Sequence, residues 1–295
     1  MTAPLLALTD FSDSARAAGE RAARLAADTG RPLLLLHVLD LTTLAAVDAL
    51  LPEGAGIATG MVREAAVTAL TREADRLRLA LGADARPELV EGPLLASLLA
   101  AIRTHAPGLV VVGAQGQSAL RPFLLGSTAE RLLRKTTTPV LVVKQPADHP
   151  YTRVLVPVDF SVDAGAALTT AREWLPQTHL SVLHVFDPDF SASLMVDWPD
   201  TAALERYRHQ LRQEASAQLQ GFITAEFGRE ANASALLRSG PVARNLTEAV
   251  TDLGVELVVM GSHGRGFLER VLLGSITRHA LTQCGADVLV VPHPD

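Results

Sequence analysis

The sequence predicts an α/β protein of two tandem domains, each a doubly wound five-stranded parallel sheet flanked by helices. Three observations carry that prediction. Short Val/Leu runs alternate with longer stretches of helical period. The runs are continuous rather than alternating polar with apolar, the pattern of strands covered by helices on both faces. The whole order also occurs twice, with an offset near 148 residues. Asp10-Phe11-Ser12 matches Asp159-Phe160-Ser161, His37-Val38 matches His184-Val185, and Gly92-Pro93 matches Gly240-Pro241. The copies close on Pro139 to Val143 and Asp287 to Val291, which share the run Val-Leu-Val-Val. A repeat of that length is a whole domain with its own core, far longer than a solenoid unit. The expected domains are residues 1–147 and 148–295, joined through Gln145 to Tyr151, which is polar and holds Pro146 and Pro150.

Taken in order, the first copy opens with a strand at Leu5 to Leu8 and a helix over Ser14 to Ala27. A strand at Leu33 to Val38 follows, then an irregular stretch around Leu39 to Gly56. Val62, Ala66, Ala69 and Leu70 share a face at helical spacing, so a helix is expected from about Met61 to Leu81. A short strand near Pro87 to Val90 leads to Gly92-Pro93, which punctuates the entry to a helix through Ala106. The strand Leu109 to Val112, a glycine loop, a last helix and the strand Val140 to Val143 complete the copy. The second copy repeats this order from Arg153 to Val291, with a long charged helix over Thr201 to Phe227.

Composition sets outer bounds on function. The chain is 48% hydrophobic and 20% charged, which argues for a globular protein and against disorder. Its net charge of −6 gives no electrostatic drive toward nucleic acid or an anionic membrane. Neither a signal-peptide pattern nor a membrane-length apolar run occurs, so the expected compartment is the cytoplasm. Cys284 is the only cysteine, which excludes an internal disulfide or a thiolate metal cluster within the chain.

The chemistry-bearing motif is a glycine loop that appears in both copies. Gly113-Ala-Gln-Gly116 is followed after nine residues by Gly126-Ser127, and Gly261-Ser-His-Gly264 by Gly274-Ser275 at the same spacing. Each loop follows an apolar run and precedes a helical one, reading as strand, loop, helix. Glycine lets backbone approach a bound group, and the N–H groups at a helix start attract anions, so phosphate is the natural guest. In doubly wound sheets ligands sit beyond the C-terminal strand ends where strand order reverses. If the first and fourth strands are neighbours there, Asp10 and the Gly113 loop face one crevice, and Asp159 and the Gly261 loop face another.

Those motifs resemble the universal stress protein family in its tandem two-domain form. Nucleotide-binding members carry Gly, two residues, Gly, nine residues, Gly and Ser or Thr; the match at Gly261-Ser-His-Gly-Arg-Gly266 is especially close. The resemblance covers essentially the whole chain. It implies domains like the adenine nucleotide α-hydrolases, strand order 3-2-1-4-5, with ATP as ligand. Carried over by position, Gly113, Gly116, Gly126 and Ser127 would hold phosphates and ribose in the first copy, and Gly261, Gly264, Gly274 and Ser275 in the second. Asp10 and Asp159, with Thr9 and Val158 before them, would line the adenosine side or place Mg²⁺, and Val38 and Val185 would offer backbone to the adenine edge. The family also implies pairing of the final strands, between the two domains or in a homodimer.

The copies differ within the loop. His263, Arg265 and Gly266 stand where the first copy has Gln115, Gln117 and Ser118, so the first lacks a cation that could pair with phosphate, although Arg121 lies later in its loop. This favours the second copy as the tighter site. Structural readings stand beside the functional ones. The glycines suit tight turns, Asp10 and Asp159 suit the turn into a helix capped by Ser12 or Ser161, and His37 and His184 suit packing or backbone hydrogen bonding. No Walker loop, nucleophile elbow or His-Glu-x-x-His motif occurs, and Lys135 and Lys144 are the only lysines, so slow ATP hydrolysis is the most catalysis expected. An ATP-binding regulatory module, an ATP-free interaction protein and a slow hydrolase are the three resulting readings. Leu41 to Gly60 and Asp187 to Asp200 differ most between copies and are expected to carry partner or ligand specificity.

Overall fold

The computed structural model describes residues 2–41, 57–116, 125–187, 201–228, 232–264 and 273–294. It divides into two compact units, Met1–Pro150 and Tyr151–Asp295. Within the first, the strands are β1 (Leu5–Leu8), β2 (Leu33–Leu39), β3 (Ala85–Glu91), β4 (Leu109–Gly113) and β5 (Val140–Val143). Its helices are α1 (Asp13–Thr29), α2 (Ile57–Leu81), α3 (Leu94–His105) and α4 (Ser127–Lys135). The strands lie in the order β3-β2-β1-β4-β5, all pairs parallel. The second unit repeats this with β6 (Val154–Pro157), β7 (Leu180–Phe186), β8 (Ala233–Ser239), β9 (Leu257–Gly261) and β10 (Asp287–Val291). They lie in the order β10-β9-β6-β7-β8, again all parallel. Its helices are α5 (Val162–Trp174), α6 (Thr201–Phe227), α7 (Val242–Asp252) and α8 (Ser275–Gln283). Both units are doubly wound α/β sheets.

Every residue of β1, β4, β5, β9 and β10 is buried, as continuous apolar runs demand in a sheet covered on both faces. Leu5, Leu6 and Leu109 are wholly inaccessible, and each such side chain contributes about 2 kcal/mol by leaving water. Against this sheet α1 presents Ala15, Ala18, Ala22, Ala23 and Ala26, small residues that bring the helix axis close to the strands. Ser12 caps its start by accepting the Ala15 N–H at 3.2 Å. Gly30 ends it in the left-handed region at φ 64°, its N–H shared between the carbonyls of Ala26 and Ala27. α2 begins at Ile57, earlier than helical spacing alone indicates, and Arg76 stitches it to α1 by pairing with both Glu73 and Glu20 at 2.7 Å. α6 runs over the expected Thr201–Phe227 and buries Ala215, Leu219 and Ile223 in one stripe while Glu205, Arg206 and Arg212 stay exposed.

Two anchors hold the ends of the units. Arg21 of α1, only 3% exposed, donates to the carbonyls of His149 (2.7 Å) and Pro146 (3.3 Å), and Arg24 donates to that of Ala147. At the start of the second unit the Glu256 carboxylate accepts the N–H groups of Thr152 (2.7 Å) and Arg153 (3.1 Å) and pairs with the Arg153 guanidinium.

Candidate nucleotide crevice in each copy

At the C-terminal end of β1 the chain turns through Asp10-Phe11-Ser12. The Asp10 carboxylate accepts the Ser12 N–H at 3.0 Å and its hydroxyl at 2.5 Å through the same oxygen, Oδ1. Asp159 does the same to Ser161 at 3.1 and 2.5 Å. Between them Phe11 and Phe160 take φ of 65° and 62°, a left-handed conformation that costs a bulky L-residue roughly 1–2 kcal/mol. Each phenyl ring packs on the histidine of the next strand: Phe11 lies 4.5 Å from His37 and Phe160 4.3 Å from His184. Those histidines donate from Nδ1 to the carbonyls of Thr9 (2.7 Å) and Val158 (2.9 Å), because a carbonyl can only accept. The backbone of Thr9 and Val158 is thus spent inside the fold, since their N–H groups donate to Leu36 and Leu183.

The second oxygen of each aspartate faces the glycine loop. A Cβ added at Gly116 would lie 2.9 Å from Asp10 Oδ2, and one at Gly264 would lie 3.0 Å from Asp159 Oδ2. Both glycines are exposed, so carboxylate and loop backbone meet at the surface. The loop ends are pinned together. Gly126 donates its N–H to the Ala114 carbonyl at 2.7 Å, and Gly274 to that of Ser262 at 2.9 Å. α4 and α8 then begin at Ser127 and Ser275, both exposed, with no side chain capping either helix. Their first N–H groups have no intrahelical acceptor and form a positive end facing the loop.

The remaining glycines serve a different end. A Cβ at Gly113 would stand 2.8 Å from the backbone of Ser14, and one at Gly261 would stand 2.6 Å from Asp163 Cβ. These two positions are glycine because the first turn of α1 or α5 lies directly on them, so their close approach is to the protein's own helix. Val38 and Val185 lie where β2 and β7 run on past their neighbours: β1 pairs as far as Leu8 with Leu36, and β6 as far as Pro157 with Leu183. The edge of each valine toward the crevice is therefore outside the β1 or β6 ladder. Arg265 falls outside the described residues, as do Gln117, Ser118, Arg121 and Gly266 and most of the two divergent segments.

Beside the first crevice, a cavity of about 190 Å³ is lined by Thr9, Phe11, Arg16, Ala69, Arg72 and Glu73. The second copy differs there. Ala66, Leu70 and Ala74 of α2 align with buried Ala215, Leu219 and Ile223 of α6, which puts Phe222 at the position of Glu73. Phe222 packs edge-on against Phe160 at 5.4 Å.

Positions that the sequence patterns did not single out lie under the loops. In the first copy Ser14 Oγ accepts the Gln115 N–H at 3.3 Å. In the second, Asp163 Oδ2 accepts the His263 N–H at 3.3 Å, its Oδ1 is bonded to His293, and His263 Nδ1 contacts Ser262 Oγ at 2.8 Å. Aligning the copies residue by residue exposes the Ser14-to-Asp163 exchange, but only the packing of helix on loop gives it meaning. The one His263 nitrogen faces both Ser262 and Asp163, so no proton relay of the Ser-His-Asp kind is assembled.

Two doubly wound units, each setting an aspartate turn against a glycine loop at the end of the sheet where strand order reverses, define a tandem pair of α/β domains. The sequence profile of the Universal stress protein family matches residues 1–144 and again 150–292. The chain belongs to the universal stress protein family. It is 29% identical to a universal stress protein of Mycolicibacterium smegmatis over 97% of this chain and 96% of that protein. Universal stress protein Rv1996 of Mycobacterium tuberculosis is likewise 29% identical, over 70% of this chain and 65% of that protein, so the match spans just under two thirds of that relative. The crystal structure of a universal stress protein from Archaeoglobus fulgidus aligns over 100% of both chains with a TM-score of 0.67 at 21% identity, a likeness of fold. Among the described residues, no helix is long and apolar enough to cross a membrane.

Proposed function

We propose that each copy binds an adenine nucleotide, ATP in the first instance, and that the chain is a regulatory module of the stress response, acting in the cytoplasm, whose nucleotide state sets its shape or partners. The observation that carries this reading is the meeting of Asp10 with Gly116, and independently of Asp159 with Gly264, at 2.9 and 3.0 Å from the missing Cβ. A loop glycine kept bare beside a half-buried carboxylate suits phosphate on the loop N–H groups and the helix end, with ribose or a cation on the carboxylate. Among the described residues no three His, Cys, Asp or Glu side chains group as a metal site. Mg²⁺ would therefore arrive with the phosphates, on Asp10 Oδ2 or Asp159 Oδ2, as is usual for that ion. It would neutralise phosphate charge there. Gly116, Gly264 and the starts of α4 and α8 at Ser127 and Ser275 would hold the phosphates, with Val38 and Val185 at the base. Gly126 and Gly274 act by closing the loop, and Gly113 and Gly261 by seating the helix.

The test is calorimetric titration of nucleotide-stripped protein with ATP and Mg²⁺, beside Gly116→Val and Gly264→Val. Each variant is expected to remove one of two binding events, weakening that site by at least about tenfold. Unaltered binding in both variants, or none in the parent, contradicts the reading. The packing of Gly113 and Gly261 against the chain's own helices favours a second reading: the loops are structural turns, and the protein acts by pairing its final strands, in an intramolecular or homodimeric arrangement, without nucleotide. Absence of binding in the parent would select it. The sequence carries no Walker loop and no nucleophile elbow, so hydrolysis is expected to be slow at most.

A further inference from the structure

Beneath the second glycine loop lies a set of ionisable groups with no counterpart under the first. Asp163, in the first turn of α5, is 4% exposed. Its Oδ1 is bonded to His293, which follows β10, and its Oδ2 accepts the backbone N–H of His263, which belongs to the loop itself. The imidazole of His263 stands 3.9 Å from the same carboxylate and 2.8 Å from Ser262 Oγ. In the first copy the matching positions are Ser14, Ala114, Gln115 and Gln145. The matching N–H is held there too, that of Gln115 by Ser14 at 3.3 Å, and none of the four side chains is ionisable.

Placing a carboxylate rather than a hydroxyl under a phosphate loop has an electrostatic consequence. The buried charge opposes an incoming phosphate unless a proton on a neighbouring ring offsets it, and an imidazole is the side chain whose charge changes near neutral pH. An anion that binds more tightly to the protonated form takes up a proton as it binds, and its affinity falls as pH rises through the histidine range. We propose that nucleotide binding in the second copy is proton-linked through Asp163, His293 and His263, and that binding in the first copy is not. The proposal rests on the nucleotide reading above. Among the described residues, the charged groups near this set include two carboxylates. Asp159 lies against Gly264, and Glu226 of α6 lies against Gly165, 3.1 Å from where its Cβ would stand. Both are retained in every comparison, so neither separates the variants.

The experiment uses full-length chains that each keep one crevice: Gly116→Val for the second copy and Gly264→Val for the first. ATP with Mg²⁺ is titrated into each at pH 6 and at pH 8. The nucleotide's own phosphate ionisation is common to both, so the ratio of the two affinities isolates the protein. The second copy's affinity relative to the first is expected to fall on the order of tenfold between those values. Adding His293→Gln or Asp163→Ser, which install the first copy's residues, is expected to flatten that change. The ring resonance of His293 gives a readout that needs no second substitution: at neutral pH, ATP is expected to move it toward the position of the protonated ring. A constant affinity ratio with an unmoved His293 resonance overturns the proton linkage while leaving the nucleotide reading standing. Absence of ATP binding at either pH overturns both.

Discussion

The two copies solve one folding problem with different chemistry. Each must bring the first turn of a helix onto the glycine that ends the fourth strand and satisfy the loop N–H just beyond it. The first copy uses the Ser14 hydroxyl and the second the Asp163 carboxylate, at the same 3.3 Å. The second adds Thr277, 2% exposed, whose hydroxyl donates to the Gly261 carbonyl at 3.0 Å where the first copy has Ala129. The contact to the loop N–H is thus kept at one length while the charge beneath it changes. The shared glycine spacing defines a common shape and leaves the electrostatics of each crevice open to divergence.

The largest effect that could break this comparison is steric. Gly113→Ala would drive a Cβ to 2.8 Å from the Ser14 backbone, which cannot yield, whereas Gly261→Ala meets the Asp163 Cβ at 2.6 Å and backbone only at 3.2 Å. Urea denaturation is expected to show a loss of about 3 kcal/mol for the first and about 2 for the second. The reverse order would mean that the helices do not seat on these glycines as described. A somewhat smaller effect separates the copies at α1. Arg21→Met removes the buried guanidinium from the carbonyls of Pro146 and His149, and about 2 kcal/mol should go with it. Proteolysis between residues 146 and 149 should accelerate, and an unchanged cleavage rate would deny the anchoring role.

Smaller effects sharpen the comparison within the second copy. Thr277→Ala is expected to cost about 1 kcal/mol and to leave the first copy's transition unmoved. Glu256→Gln tests the anchor at Thr152 and Arg153. Burial raises the Glu256 pKa, but the backbone N–H groups of Thr152 and Arg153, the Thr152 hydroxyl and the Arg153 charge outweigh it and hold the carboxyl below its ordinary value. A depressed folded pKa gives stability that is present above the unfolded value and lost as pH falls through the folded one. The substitution should therefore cost about 1 kcal/mol at pH 7 and less at a pH well below the ordinary carboxylate range, measured by thermal unfolding at the two values. An equal cost at both would assign its effect to packing.

Much of this was legible in the sequence. The continuous Val/Leu runs mark strands buried on both faces, the internal repeat marks two units, and Asp-Phe-Ser ahead of a helical run marks a capped turn, which Ser12 and Ser161 provide. The histidines at His37 and His184 each serve a backbone carbonyl and a phenyl ring, both of the uses their placement suggests. Three things were not legible. Nothing in the type of Phe11 or Phe160 announces a left-handed residue, because the conformation is imposed by the aspartate turn and by packing on histidine. Gly113 and Gly116 look equivalent in a motif, yet one contacts a helix and the other a carboxylate, a distinction made only when α1 is laid against β4. His293 lies 130 residues from Asp163, and only parallel pairing of β9 and β10 brings it there.

The central claim is that both crevices receive the phosphates of an adenine nucleotide at the bare loop glycine beside the aspartate. A crystal structure of the chain grown with ATP and Mg²⁺ tests it most directly. The account predicts phosphate oxygens within hydrogen-bonding distance of the backbone at Gly116 and Gly264, with the adenine toward Val38 and Val185. Nucleotide bound elsewhere, or both crevices closed by the protein's own side chains at saturating ATP, would contradict it.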